Sequence, residues 1–540
     1  MREGTRFVVL WGVVFSAAGI AVASTGRFGL NIVAFGLLYA VLATSWSWLR
    51  AAGLLSLGQS AFFGVGALTQ AWLVTAERLS PGLAFGASAA AGALASLPLI
   101  PALRLRTASF GLATLSYAVL LKGLAGGVLA FGMEGFLLPK TPGFEGAAPP
   151  VVATLAALAL ASSLGYELFL RRPGGRAAAA IRQSPETTSS LGIDLVGERW
   201  RPLTLSAATT ALSGALYAHL TGSVETAVVF SPSFSILPLV FGMLGGALHP
   251  LGGVLGMLVL YPVDELILRP ALPQAHMLAY GLALFGLLMV RPEGLLAARL
   301  PRIAAPSAPG HRRREPFALV LRDVTVRRGG TPVLRDVSFA VEPGEILRVL
   351  GANGAGKTSL LLAISGRLPI ARGAILLGGA PPPRGAAARA RRGVIRSFQA
   401  PRPFPEWTVH ENVALAAERA GIPVDVDRLL AELQLTALRD RPAGQLSVGE
   451  GKRLELARVL AAKPALLLLD EPLAGLSPEA TERVSRLIDE ARRQGAAVVW
   501  AEHGPAAGKL ASHLLVLEGG QTRFRGSIEE WEAARPAPTS

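Results

Sequence analysis

The 540-residue chain has no cysteine and comparatively few charged or aromatic side chains. Without cysteine it can form no disulfide, no thiolate metal site and no cysteine nucleophile of its own. That absence suits either side of a membrane, so it assigns no redox compartment. Charged residues make up 16% of the chain, against about 25% in ordinary soluble proteins. Hydrophobic residues make up 51%, and the mean hydropathy is +0.45. The shortage of charge is uneven. Residues 1–300 carry 18 Lys and Arg with 12 Asp and Glu, whereas the remaining 240 carry 34 and 25. The first part therefore reads as a membrane domain and the second as a soluble one, in a chain long enough for several cores. The formal net charge is +15. Beside hydrophobic spans, such a balance points to an anionic membrane surface rather than to nucleic acid.

Apolar runs near residues 7–23, 30–48, 83–100, 110–130, 151–169 and 203–220 approach or exceed the ~20 residues that a helix needs to cross a bilayer. The first follows Arg2 and Arg6 like a secretory signal, but hydrophobic spans continue directly after it, so it is read as a retained span. Two stretches are irregular. Residues 54–74 include Ser56, Gly58, Gln59, Ser60, Gly64 and Gly66, and residues 241–257 include Gly242, Gly245, Gly246, His249, Pro250, Gly252, Gly253 and Gly256. They read either as helices packed closely through small residues or as broken helices beside a translocation path. No charged pair is evident within the spans.

Arg171, Arg172, Arg176, Arg182, Arg199 and Arg201 crowd one short loop, which should face the cytoplasm. Arg291, Arg299 and Arg302 point the same way, so an even number of crossings must lie between the two. A break around residues 245–250 supplies four. The expected fold is an α-helical polytopic membrane domain of about 8–10 spans, some broken or re-entrant, followed by a soluble α/β domain. The boundaries expected are 1–300 for the membrane part, 301–316 for a linker, 317–532 for the second domain and 533–540 for a tail. The linker run Arg312–Arg314 is either a lipid contact or a solvated charge run.

Gly351-Ala-Asn353-Gly354-Ala355-Gly356-Lys357-Thr358, with Ser359 after it, follows the apolar strand 346–350 and opens a helix. This is the strand–GxxxxGK[ST]–helix pattern of a phosphate-binding loop, so the second domain is expected to be an α/β P-loop NTPase domain. Glycines let backbone N–H groups turn toward phosphates, Lys357 reaches the β- and γ-phosphates, and the Thr358 hydroxyl can ligate Mg²⁺. Downstream, the apolar run 465–469 ends in Asp470-Glu471. Asp470 would hold Mg²⁺, directly or through water, and Glu471 would orient or deprotonate an attacking water.

Leu446-Ser447-Val448-Gly449-Glu450 resembles the LSGGQ signature of ATP-binding-cassette (ABC) proteins, and the second domain resembles an ABC ATPase along its length. Gln399 matches the Q-loop of that family, and His503, after strand 496–500, its switch histidine. The resemblance implies that Gln399 meets Mg²⁺ and the attacking water. It also implies that Ser447, Gly449 and Glu450 serve the nucleotide of a partner ATPase. Two departures stand out. Arg328 lies where an aromatic often stacks on adenine, so a guanidinium would stack instead. Ser477 occupies a position often held by Asn or Asp.

The stretch 398–413 and Asp470-Glu-Pro-Leu-Ala-Gly-Leu-Ser-Pro478 look like branched-chain amino acid importer ATPases in particular. Independently, Leu55-Ser-Leu-Gly-Gln-Ser-Ala-Phe-Phe-Gly-Val-Gly66, Gly175-Arg-Ala-Ala-Ala-Ala-Ile-Arg182 and Met289-Val-Arg-Pro-Glu-Gly-Leu295 resemble the matching permease. The resemblance implies one permease fused to one ATPase, using ATP and Mg²⁺ in the cytoplasmic (inner) membrane with the ATPase in the cytoplasm. Expected partners are a second permease and a second ATPase, in a heteromeric more than a homodimeric assembly, and an extracytoplasmic solute-binding protein. Membrane lipid and a small-molecule cargo are expected, nucleic acid is not. The cargo is a hydrophobic or branched-chain amino acid or a related small amide. The alternatives are urea, short amides or aromatic acids, a half-size exporter, or a regulatory membrane ATPase. The segment 176–182 is expected to form a helix docked near residues 399–407, with Phe404 as its apolar contact and no special side-chain chemistry in the polar residues after it.

Overall fold

A computed structural model describes residues 26–127, 135–139, 146–296 except 272 and 274, 315–502 and 511–534, together with positions 12 and 303. The expected first span, Arg299, Arg302, Arg312–Arg314 and His503 lie outside the described residues, position 12 of that span apart. The chain divides into two compact units. One comprises Met1–Arg182 and Leu195–Pro301, the other Gln183–Asp194 and Arg302–Ser540. The short excursion at 183–194 is absent from the boundaries read off the sequence.

In the first unit, five described helices are long and apolar enough to cross a membrane: Arg27–Ala51, Pro81–Leu99, Thr107–Gly127, Pro149–Arg171 and Thr226–Gly245. Helices Gln59–Thr75, Leu195–Thr221, Gly252–Val263 and His276–Val290 accompany them. The irregular stretch 54–74 is non-helical at its start and closely packed beyond it. The polar groups of its first residues are answered by side chains. Trp46 Nε1 donates to the Ser56 carbonyl at 3.0 Å, Leu57 N–H to Thr114 Oγ1 at 3.0 Å, and Ser60 N–H to Ser235 Oγ at 2.9 Å. Gln59 bridges one helical turn of its neighbour, donating to Ser206 Oγ and accepting from Thr210 Oγ1, each at 3.1 Å. Such partners are what non-helical backbone needs at membrane depth.

Beyond the break the small residues pack backbone on backbone. A Cβ added at Gly66 would sit 2.0 Å from the Ala211 carbonyl oxygen, and one at Gly214 2.0 Å from that of Phe63. The second break falls where parity required it: helix Ser233–Gly245 ends at Gly246, which is at φ +109°, and helix Gly252–Val263 starts anew. A Cβ at Gly245 would meet the Gly252 carbonyl oxygen at 1.7 Å, so the two arms cross through glycine.

The helical unit also holds a charged cluster where Gly252–Val263 runs into a π-turn at Asp264–Leu268. There Arg269 Nε lies 3.1 Å from the fully buried Asp264, and Arg269 Nη1 lies 2.7 Å from Glu265. Helical spacing of four and five residues brings the three together, and the wider π-turn lets one guanidinium reach both acids.

The second unit holds two sheets. Six strands run in the order Gln521–Gly526, His513–Glu518, Ile346–Leu350, Ala497–Ala501, Leu466–Asp470, Val394–Arg396, all pairs parallel except the first. Strands covered on both faces become continuous apolar runs, and Leu466, Leu467, Leu468 and Leu469 are indeed wholly buried. Each such leucine contributes about 2 kcal/mol of burial free energy. A three-stranded antiparallel sheet is formed by Thr331–Val341, Leu319–Arg328 and Arg372–Leu377.

Residues 183–194 belong to this unit, carrying the short helix Pro185–Ser190. Gln183 Oε1 accepts the Glu406 N–H at 2.9 Å, Thr187 Oγ1 donates to the Arg402 carbonyl at 2.8 Å, and Glu186 pairs with Arg402 and with Arg367 at 3.4 Å. Arg391 Nη1 donates to the Gly192 carbonyl at 2.9 Å. Contact with the 399–407 stretch is therefore made by polar side chains of residues 183–187, whose chemistry the sequence reading discounted. Phe404 is fully buried against Trp407 and beneath Arg458. Residues 176–182 form most of a helix, Pro173–Gln183, and belong to the first unit through Arg182.

Candidate nucleotide site

The strand Ile346–Leu350 lies centrally in the large sheet and delivers the chain into Gly351. Gly356, at φ +102°, caps the helix Lys357–Ile364, and a Cβ there would lie 2.7 Å from Leu334 Cδ2 and 2.9 Å from the Val333 carbonyl oxygen. Only glycine meets both the backbone conformation and the close approach. Ala355 is buried beneath the loop, Ser359 is half-buried, and Asn353 and Gly354 are exposed at its outer side. Lys357 arches back, with Nζ donating to the Gly351 carbonyl at 2.6 Å and the Ala352 carbonyl at 3.2 Å. Burial pulls its ammonium pKa down, while Glu471 and Asp470 push it back up.

Thr358 Oγ1 donates to Asp470 Oδ1 at 3.4 Å, joining the loop's helix to the end of strand Leu466–Asp470. Asp470 is almost fully buried, and burial raises its carboxyl pKa despite the pull of Arg396, whose Nη1 lies 3.8 Å away. Its N–H donates to Ser397 Oγ at 3.0 Å, which ties it to the strand preceding Gln399. Gln399 Nε2 donates to Glu471 Oε2 at 3.3 Å. Thus Lys357, Thr358, Asp470, Glu471 and Gln399, drawn from three separate stretches, share one end of the parallel sheet. Ser397 and Arg396 support that arrangement, and sequence reasoning missed both as supports. No sequence signal marked either, because both act only once strand Val394–Arg396 is paired with Leu466–Leu468.

Ser447 caps the helix Val448–Ala461 in a reciprocal box, its Oγ accepting the Glu450 N–H at 3.3 Å while Glu450 Oε2 accepts the Ser447 N–H at 2.8 Å. The Ser447 N–H and the Ser447 hydroxyl, both donated to Glu450 Oε2, hold that carboxyl below its usual pKa. Gly449 is half-buried beside an exposed Val448. Arg328 is exposed at the end of strand Leu319–Arg328. Among the described residues no group of three or more His, Asp or Glu could hold a metal alone. Thr358 and Asp470 nonetheless fit Mg²⁺, which takes one or two protein oxygens and completes its shell with phosphate and water.

A phosphate-binding loop, a buried strand ending Asp-Glu and a capped LSxGE helix together define an ATP-binding cassette. Residues 334–474 match the ABC transporter family, and residues 9–291, more than half of the chain, match the permease component of branched-chain amino acid transport systems. The chain belongs to that permease family and carries an ABC ATPase domain behind its helical unit, as a membrane protein.

An ABC transporter ATP-binding protein of Streptomyces avermitilis is 36% identical over 242 residues, 44% of this chain and 43% of that protein. The chain thus spans less than half of that relative's length. The lipopolysaccharide export system ATP-binding protein of Acidithiobacillus ferridurans is 36% identical over 209 residues, 37% of this chain and 85% of that one. A solved ATP-binding subunit of an ABC transporter matches at 26% identity with a TM-score of 0.38, covering 40% of this chain and 92% of that one.

Proposed function

We propose that this chain is a fused half of an ATP-driven importer that moves a hydrophobic amino acid or a related small amide inward across the cytoplasmic membrane. The observation that carries the reading is the union, in one chain, of a branched-chain permease with a site where Lys357, Thr358, Asp470, Gln399 and Glu471 converge. In this reading Gly351–Ser359 cradles the phosphates with backbone N–H groups, and Lys357 leaves its carbonyl partners for the β- and γ-phosphate oxygens. Thr358 and Asp470 hold Mg²⁺, which offsets charge on those oxygens when bound. Glu471 takes the proton of the water whose oxygen attacks the γ-phosphorus as the bond to the bridging oxygen breaks. Gln399 fixes the Glu471 carboxylate, Arg328 stacks on adenine, and His503 serves as the switch histidine. Ser447, Gly449 and Glu450 serve a partner's nucleotide. A second permease, a second ATPase and an extracytoplasmic solute-binding protein complete the assembly.

The test is transport by the assembled complex in vesicles with ATP supplied on the ATPase side. Accumulation on that side of labelled leucine, valine, phenylalanine, urea or a short amide supports import and names the cargo class. ATP-driven movement in the opposite sense would make it an exporter. Hydrolysis without movement of any tested solute would favour a regulatory ATPase.

A further inference from the structure

Glu502 stands one residue beyond strand Ala497–Ala501, at the end of the sheet that carries the candidate site, and is 6% exposed. A carboxylate in such a place is costly unless its oxygens are bonded. Its Oε2 accepts Trp500 Nε1 at 2.9 Å, and its carboxylate also accepts the Leu473 backbone N–H, with Arg348 as a nearby cation. Burial pushes its pKa up, and those two hydrogen bonds oppose the push.

Leu473 lies two residues past Glu471, and the intervening turn is unusual. Glu471 is not glycine, yet its φ is +49°, immediately before Pro472. A left-handed residue of this kind costs about 1–3 kcal/mol and persists only where its surroundings over-determine it. The surroundings here are the last residue of the adjacent strand, Ala501, and the residue just past it, Glu502. The Ala501 carbonyl accepts the Glu471 N–H at 2.9 Å, and Glu502 takes the Leu473 N–H. Trp500, wholly buried, aims the Glu502 carboxylate at that job. One bond fixes the start of the turn and the other its end, so the direction in which the Glu471 side chain leaves the backbone depends on both.

We propose that Glu502 is a positioning residue for Glu471, pinning the strained turn 471–473 to the neighbouring strand so that the Glu471 carboxylate meets the attacking water. This rests on Glu471 acting on that water, as in the function proposed above. It gives Glu502 a role that neither the phosphate loop, the signature nor the switch position supplies. Were Glu502 only a buried partner for Trp500, its loss would weaken the fold without regard to what stands at 471.

The experiment uses the full chain in its purified assembly and reads kcat, KM for ATP and equilibrium ATP binding for Glu502→Ala, Glu502→Gln, Glu471→Gln and the double variant. Misplacing a reacting group by about 1 Å costs up to ~100-fold in rate, so Glu502→Ala should lower kcat ~10- to 100-fold and leave ATP affinity within about twofold. Glu502→Gln keeps an acceptor oxygen for Leu473 and should recover most of the loss. In the Glu471→Gln background, Glu502→Ala should change the residual rate by less than about twofold, since the residue it positions is already gone. If Glu502→Ala does not assemble, Trp500→Phe removes one restraint on the carboxylate and should show a smaller loss with the same dependence on Glu471. Unchanged kcat in the Glu502 variants, or an equal loss in both backgrounds, overturns the inference while leaving the base assignment standing. Wild-type turnover by Glu471→Gln alone overturns both.

Discussion

Lys357 and Glu471 lie in one cluster but have different parts in the proposed reaction. Lys357 faces the glycine loop at Gly351 and Ala352, the proposed phosphate cradle, so Lys357→Ala should weaken ATP binding itself. Glu471→Gln preserves shape and removes the proton acceptor. It should bind ATP normally while turnover falls ~10²-fold or more, as loss of a general base does. Equilibrium binding and steady-state hydrolysis, measured on the same preparations, separate the two. The signature offers a pH test. The Ser447 N–H and hydroxyl both donate to Glu450 and depress its carboxyl pKa. A depressed acid contributes stability that is complete above its unfolded value of about 4.3 and is lost as pH falls through the folded value. The thermal midpoint of Glu450→Gln should therefore lie below wild type by a constant amount from neutrality down to about pH 5. The gap should close as the medium is made more acid than the depressed value, and a gap that widens there would contradict the cap.

At the scale of elements, what the sequence discloses depends on how local the cause is. The phosphate loop is legible because Gly356, Lys357 and Thr358 act through neighbours along the chain, and the break near Gly245 is legible through glycine and parity. The role of residues 183–194 is not, because Thr187 and Gln183 find partners more than 200 residues away, and polar residues in a loop look alike before folding. The charged π-turn at Asp264 stayed hidden for a related reason: charges four and five residues apart become a pair only once the helix path is known. Two predictions belong here. Gly66→Val forces a side chain into the Ala211 backbone, and overpacking of this kind costs about 1–3 kcal/mol or more. It should sharply reduce recovery of folded protein from membranes, whereas Gly86→Val, whose Cβ would meet nothing within 4 Å, should not. In the cysteine-free chain, Gln183→Cys with Glu406→Cys should join through a short bifunctional reagent. Absence of a crosslink would remove 183–194 from the ATPase unit.

At the scale of the whole molecule, the open question is what completes the nucleotide site. Ser447 and Gly449 sit at the start of their own helix, with Val448 beside them 75% exposed. An apolar side chain so bare at the tip of a helix suits a surface that another subunit covers. If each ATP lies between one chain's phosphate loop and another chain's signature, defects in the two motifs reside in different halves of each site. A chain carrying Lys357→Ala and a chain carrying Gly449→Asp would each be inactive in a pure homodimer. Mixed, they would form dimers in which one site pairs an intact loop with an intact signature, and hydrolysis should return to a substantial fraction of wild type. In a heteromeric assembly of this chain with a related permease–ATPase pair, no mixture of the two variants restores turnover, because no complex contains both. The expected result is absence of complementation, with hydrolysis requiring co-expression of a second ATPase. Recovery on mixing two tagged variants, with both tags in one purified complex, would show instead that the chain partners itself.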